Sequence, residues 1–63
     1  MAKQTALGKF TRALHAVGIN SILNGEGMEI QTVTIFSGSY GYIDFHFDAN
    51  GSFRYVDFGT VSK

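Results

Sequence analysis

The sequence predicts an α+β domain in which one N-terminal amphipathic helix packs on a three-stranded antiparallel meander, in the order αβββ. Two observations predict this fold. Apolar residues recur at helical spacing near the N-terminus, and three later segments are rich in β-branched and aromatic residues. With 63 residues and no cysteine, the chain has room for one small domain, residues 1–63, and no disulfide to stabilise it.

The first element is predicted as a helix over residues 5–17. Its apolar residues fall three, four and three positions apart and are Leu7, Phe10, Leu14 and Val17. Thr5 is the expected N-cap, and Gly18 stands where a left-handed glycine would end the helix. The helix should therefore place this apolar stripe on the sheet.

The rest of the chain is predicted to form the meander. Residues 19–27 mix apolar residues with Asn, Ser and Gly, so they are expected to form an irregular connector. Strands are expected at 29–36, 41–47 and 52–58. Residues 48–51, Asp-Ala-Asn-Gly, have the form of a type I turn closed by a glycine bulge.

The register of the second hairpin depends on that turn. The bulged turn continues a pairing in which Phe45 faces Tyr55. A tighter two-residue turn at 50–51 shifts the pairing by one residue and sets Asp44 opposite Asp57, a like-charge contact that costs stability. The bulged register is therefore the preferred interpretation, and it also pairs residue 47 with residue 53. The tighter turn would instead place Phe53 and Tyr55 on the uncovered face in place of Val56 and Phe58.

In the first hairpin, Val33 is expected opposite Phe45 and Ile35 opposite Ile43, which places these side chains in the core. The other face of the sheet, away from the single helix, is then uncovered. Its expected members are Thr32, Thr34, Phe36, Tyr42, Asp44, His46, Arg54, Val56 and Phe58.

Composition limits the class of partner. Five basic and five acidic residues give a formal net charge of zero, which disfavours nucleic acid and anionic membranes as partners. The chain contains neither a secretory signal pattern nor a membrane-length apolar run, so no membrane association and a cytoplasmic location are expected. Two isolated histidines and no cysteine predict no metal site and no cofactor.

Residues 40–45, Tyr-Gly-Tyr-Ile-Asp-Phe, resemble the end of the aromatic strand motif of RNA-recognition domains and, more loosely, the aromatic strand of cold-shock domains. In those domains the aromatics matching Tyr40 and Tyr42 point outward and stack on bases, while the positions matching Ile43 and Phe45 point into the core. The resemblance implies an alternative function, a binder of single-stranded nucleic acid or nucleotides through an aromatic sheet face.

Asp44, His46 and Arg54 are expected to lie close together on the uncovered face. A histidine beside a carboxylate can act as a general base. However, no nucleophile is expected nearby, and a flat three-stranded sheet offers no deep pocket. The sequence therefore predicts no catalytic residues and no enzyme activity.

The exposed aromatic surface predicts a noncatalytic protein-binding module that acts by occupying a surface of a larger protein. The expected partner-binding residues are Phe36, Tyr40, Tyr42, Asp44, His46, Arg54, Val56 and Phe58. A homodimer through the sheet face is expected as well, because it would cover the same surface. Tiny, cysteine-free, aromatic-rich domains are similar in general character to the inhibitors that bacteriophages use against host enzymes or defence systems, which suggests a phage protein of that type.

Overall fold

The computed structural model describes residues 5–38 and 41–60, which form one helix and one antiparallel sheet. The elements are α1 (Ala6–Ala16), β1 (Ile22–Asn24), β2 (Ile30–Ser37), β3 (Gly41–Asp48) and β4 (Phe53–Thr60). The sheet has the order β1-β2-β3-β4. The α+β class and the antiparallel meander are confirmed, and the expected three strands are corrected to four.

The helix begins and ends at its capping residues. The Thr5 hydroxyl accepts a hydrogen bond from the Gly8 amide at 3.0 Å. At the other end Gly18 has φ +79°, and the Ile19 amide donates to the Leu14 carbonyl at 2.9 Å. This is the pattern of a Schellman motif, so both capping predictions are confirmed.

The core lies between α1 and the middle of the sheet. Its buried side chains are Leu7, Leu14, Val33 and Phe47. Phe10 packs beside them, with its ring centroid 4.6 Å from that of Phe45. Val17, expected in the same stripe, is 69% exposed because it is the C-cap and follows the last helical turn.

Strand β1 replaces part of the irregular connector expected between helix and sheet. Its three residues pair antiparallel with β2, with Leu23 opposite Val33. The expectation of no regular structure was wrong here because three residues between Ser21 and Gly25 are too few to show a measurable alternation. The strand forms through pairing with the free edge of β2, which is a nonlocal contact.

Gln31 is a buried polar residue that holds the β1–β2 connection against the sheet. Its side chain is 5% exposed. Its Nε2 donates to the Asp48 carbonyl at 2.9 Å, and its Oε1 accepts from the Gly27 amide at 2.9 Å. Both ends of the buried amide are thus hydrogen-bonded, as burial requires.

The β3–β4 turn has the form that the sequence predicts. The Gly51 amide donates to the Asp48 carbonyl, and the Asp48 amide donates to the Ser52 carbonyl, each at 2.9 Å. Gly51 has φ +83°, and Phe47 lies opposite Phe53. The bulged turn, and the pairing that directly follows it, are therefore confirmed.

One residue further along, a second irregularity shifts the register. A β-bulge between His46 and Phe47 leaves Arg54 without a partner of its own. Beyond it Phe45 faces Val56, so the expected Phe45–Tyr55 pairing was wrong. The bulge shifts every later residue of β4 by one position relative to β3.

Gly51 also joins the hairpin turn to the start of the helix. Its carbonyl accepts a hydrogen bond from the Leu7 amide at 2.8 Å, one of the first-turn amides that has no partner within the helix. A Cβ at this position would lie 2.6 Å from the Thr5 Cβ. Glycine is required here both by the positive φ and by the close approach of Thr5.

Replacing Gly51 tests this junction, and Gly18 is its matched control. Gly18→Ala meets only the backbone strain of a positive φ, since a Cβ there has no neighbour within 4 Å, so we expect it to cost about 1–2 kcal/mol. Gly51→Ala should cost a further 1–3 kcal/mol or so, because the new methyl overlaps Thr5. Urea unfolding of both variants measures the difference, and equal losses would contradict this account of the junction.

Candidate functional site

Within residues 5–38 and 41–60, no helix lies on the side of the sheet away from α1, and we call this side the open face. Successive side chains in a strand point to opposite faces of the sheet, so the residues that alternate with core residues lie on the open face. Its described members are Ile22, Asn24, Ile30, Thr32, Thr34, Phe36, Tyr42, Asp44, His46, Asp48, Tyr55 and Asp57, with Arg54 at the bulge.

The structure brings together part of the surface that the sequence predicts for partner binding. Phe36, Tyr42, Asp44 and His46 lie on the open face through the β2–β3 register. Arg54 joins them, lining the same cavity as His46. Their role in binding a partner stays a prediction.

Val56 and Phe58 do not lie on the open face, which corrects the sequence analysis. They face Phe45 and Ile43 and so point to the helix side. The bulge at Arg54 moved them, because a one-residue shift exchanges the two faces of a strand. Tyr55 and Asp57 take their places on the open face, and residue 40, the remaining predicted contact, lies outside the described residues.

His46 occupies the centre of the open face, with its side chain 13% exposed. Its Nδ1 lies 3.1 Å from the Thr32 hydroxyl, and the Tyr55 ring stacks on it with centroids 4.4 Å apart and 23° between the planes. Its Nε2 is buried and has no hydrogen-bond partner within the described part of the chain. The nearest carboxylate oxygen, Asp57 Oδ2, is 3.9 Å away, too far for a hydrogen bond.

Two carboxylates lie beside His46, one from Asp44 on β3 and one from Asp57 on β4. Asp44 and Asp57 are directly opposite each other. The Thr34 hydroxyl donates to Asp44 Oδ1 at 2.6 Å, whereas the Asp57 side chain is 58% exposed. The register preferred from the sequence would avoid the Asp44–Asp57 contact, but the structure contains it. This pair of carboxylates makes the middle of the open face anionic.

A cavity of about 400 Å³ opens on this face beside the β3–β4 turn. Its lining residues are Glu29, Ile30, His46, Asp48, Arg54 and Tyr55. The Asp48 carboxylate accepts hydrogen bonds from the Asn50 and Ser52 amides, each at 2.9 Å. The cavity is large enough for a small ligand, but two carboxylates and one guanidinium make it unfavourable for an anion.

The net charge of zero conceals a separation of charge between the two sides of the domain. Asp44, Asp48 and Asp57 lie on the open face, and Glu29 lines its cavity. Arg54 is the one Lys or Arg side chain on that face among residues 5–38 and 41–60. The other described cations of that kind, Lys9 and Arg12, are on the helix. The open face is therefore negative and the helix side positive.

Large apolar side chains surround this acidic centre. Four of them on the open face are 50–61% exposed, and they are Ile22, Ile30, Phe36 and Tyr55. Several exposed apolar residues around a polar surface are typical of a face that meets another macromolecule.

The preferred interpretation of the sequence missed seven residues of this site, which are Ile22, Asn24, Glu29, Ile30, Asp48, Tyr55 and Asp57. Ile30 lies within the predicted strand 29–36, and the same alternation that places Thr32 on the open face places Ile30 there too. Glu29 lines the cavity from the end of the β1–β2 connection, next to Ile30. The bulge at Arg54 brings Tyr55 and Asp57 to the open face, and no local sequence pattern predicts that bulge.

Comparison with family models, curated proteins and solved structures finds no match to the chain. Within residues 5–38 and 41–60, no three His, Asp or Glu side chains are grouped so that they could hold a metal ion. In the same residues no helix has the length and apolar character needed to cross a membrane. Function is therefore inferred from the geometry and charge of the open face.

The Asp44–Asp57 contact can be tested through stability. Removing one charge with Asp57→Asn should stabilise the domain by about 0.2–1 kcal/mol, because like charges directly opposite each other repel. Glu26→Gln is the control, since Glu26 is exposed in the β1–β2 connection and has no described strand partner. Urea unfolding of both variants decides the matter, and a clear loss of stability in Asp57→Asn alone would show that attraction to His46 outweighs the repulsion.

Proposed function

We propose that this chain is a noncatalytic protein-binding domain that docks its open face on a basic surface of a larger protein. The observation that carries the proposal is the combination of four carboxylates with exposed apolar side chains on the open face. Such a face supplies both apolar area and electrostatic complementarity.

The apolar part supplies affinity. Ile30 and Phe36 are 61% and 57% exposed, and they lie at opposite ends of β2. Burying side chains of this size against a partner contributes about 25 cal/mol per Å² of apolar area, before the costs of association are subtracted. The separation of these residues along β2 favours an extended protein surface over a small ligand.

The charged part supplies specificity. Glu29, Asp44, Asp48 and Asp57 together outnumber Arg54 on this face. A partner surface rich in Lys or Arg would be steered toward it, whereas acidic surfaces and phosphates would be repelled. A larger protein with a basic site is therefore the partner class, and occupation of that site is how a domain of this kind would inhibit it.

A role without catalysis fits the arrangement around His46. One of its ring nitrogens contacts Thr32, and the Tyr55 ring covers one of its faces. A general base must reach the proton that it removes, and a stacked histidine with 13% exposure is better placed to orient the surface than to attack a substrate. We assign His46 to positioning Tyr55.

The test is affinity capture from cell extract with matched variants of the chain. Ile30→Thr removes apolar area on the open face while keeping a β-branched residue, and Val17→Thr does the same at an exposed position on the helix side. Glu29→Gln and Glu26→Gln form a second pair within one connection. We expect a captured protein to be lost with the first member of each pair, kept with the second, and released by salt.

The affinity of the captured protein should fall about tenfold in Ile30→Thr, since truncating a well-buried anchor costs more than ~1 kcal/mol. Isothermal titration with the purified partner measures this change. Equal binding by all four variants, or capture of nothing by the unmodified chain, would contradict the proposal.

A second candidate function is the binding of nucleotides or single-stranded nucleic acid. The cavity favours it, because the stacked His46–Tyr55 pair and Arg54 lie together there, and aromatic stacking next to a guanidinium suits a base. Glu29 and Asp48 line the same cavity and oppose a phosphate group. Titration with ATP and with a thymidine oligonucleotide, followed by tyrosine fluorescence, separates the two functions, and binding that Tyr55→Leu abolishes would favour this second one.

A further inference from the structure

Strand β4 is an edge of the sheet, and its outer side has no partner within residues 5–38 and 41–60. Hydrogen bonds alternate along an antiparallel pair, and the Asp48–Ser52 bond at the turn fixes the phase. Asp48, His46 and Asp44 therefore direct their amides and carbonyls toward β4. Asp57 lies opposite Asp44, so the backbone groups of Asp57 point toward β3. The amides and carbonyls of Val56 and Phe58 therefore point outward, where another extended strand can bind them.

The two edges of the sheet are unlike each other. Strand β1 has three residues, whereas β4 has eight. Proteins usually protect an exposed edge by keeping it short, by placing charges (especially Lys) or Pro on it, or by a bulge. Strand β4 contains neither Lys nor Pro, and its bulge lies at Arg54 near the start of the strand, so residues 55–60 remain a regular edge that is available for pairing.

The helix side of β4 is apolar and largely exposed within the described residues. Phe53, Val56 and Phe58 are 51%, 47% and 76% exposed, because the core contacts of α1 lie on β1, β2 and β3. An added strand would bring its own side chains against these three. The occupant of this edge therefore needs matching apolar residues on one side only.

Strand β4 itself meets that requirement. Two copies of β4 can be placed antiparallel with Val56 of one copy facing Val56 of the other. If the bulged pair Arg54–Tyr55 counts as one position, Phe53 then faces Phe58 of the second copy. Asp57 then faces Arg54 and Tyr55 of the second copy. Apolar residues meet on the helix side, and each Asp57 meets a guanidinium on the open face.

We propose that two copies of this chain pair their β4 strands about a twofold axis at Val56, forming one continuous eight-stranded sheet. An axis at Val56 makes the contact isologous, so the assembly closes as a dimer. A second copy explains the edge better than a foreign strand does, because the two charged residues of β4 and its helix-side Phe residues are placed symmetrically about Val56. This inference does not depend on the proposed function.

This dimer differs from the face-to-face homodimer that the sequence predicts. Placing two open faces together would bring the carboxylates of both copies into one interface, which costs free energy unless each is paired. Edge pairing instead leaves both open faces exposed, side by side on the same surface of the sheet. A partner with a basic surface would then meet twice the acidic area.

The test is sedimentation equilibrium over a series of protein concentrations. We expect the unmodified chain to approach twice its monomer mass of 6.9 kDa. Val56→Lys places two ammonium groups opposite each other at the axis and should weaken dimerisation at least about tenfold. Val17→Lys, the same substitution at a more exposed position away from β4 (69% against 47% for Val56), and Ile30→Thr on the open face should leave the dimer intact.

Charge exchange tests the register directly. Arg54→Asp and Asp57→Arg each create like charges across the proposed interface and should weaken the dimer, whereas the double variant should restore it. Circular dichroism shows whether each variant is folded. If Val56→Lys does not fold, the double charge variant still tests the proposal.

Three outcomes would overturn the proposal. The unmodified chain could remain monomeric up to about 1 mM, which would leave a strand of another protein as the occupant of β4. The dimer could survive both Val56→Lys and the single charge changes, which would place the interface elsewhere. Loss of the dimer in Ile30→Thr would favour the face-to-face arrangement instead.

Discussion

The Leu7 amide and the Gly51 carbonyl meet at 2.8 Å, and this hydrogen bond joins the start of the helix to the turn of the last hairpin. The turn thereby satisfies one of the amides that a helix N-terminus leaves unpaired. Thr5 lies directly against Gly51, so the chain can approach only a residue without a side chain. Because this contact holds α1 along one side of β2 and β3, the other side of the sheet stays open.

The bulge at Arg54 determines which residues of β4 lie on the open face. It turns Tyr55 and Asp57 toward the open face and Val56 and Phe58 toward the helix side. The domain consequently has an acidic, partly apolar face and, separately, an apolar strip along its β4 edge. These surfaces differ in charge and in the availability of backbone groups, which is why we assign them different partners.

Charge segregation carries more functional information than net charge. A balance of five basic and five acidic residues suggests a surface with no electrostatic preference. In the fold, Asp44, Asp48 and Asp57 share one face while Lys9 and Arg12 lie on the helix. Steering depends on the local potential of a surface and falls off within about 10 Å at ordinary salt, so the distribution decides the partner.

The sequence by itself determined the features whose causes are local. The caps of α1, the turn at 48–51 and the alternation of apolar and polar residues within β2 and within β3 all depend on residues a few positions apart. The tertiary structure decided the rest. Strand β1 exists because the edge of β2 is there to pair with it, and the bulge at Arg54 depends on how β4 lies against β3. Both result from contacts between distant segments, whose balance of packing and repulsion no local pattern records.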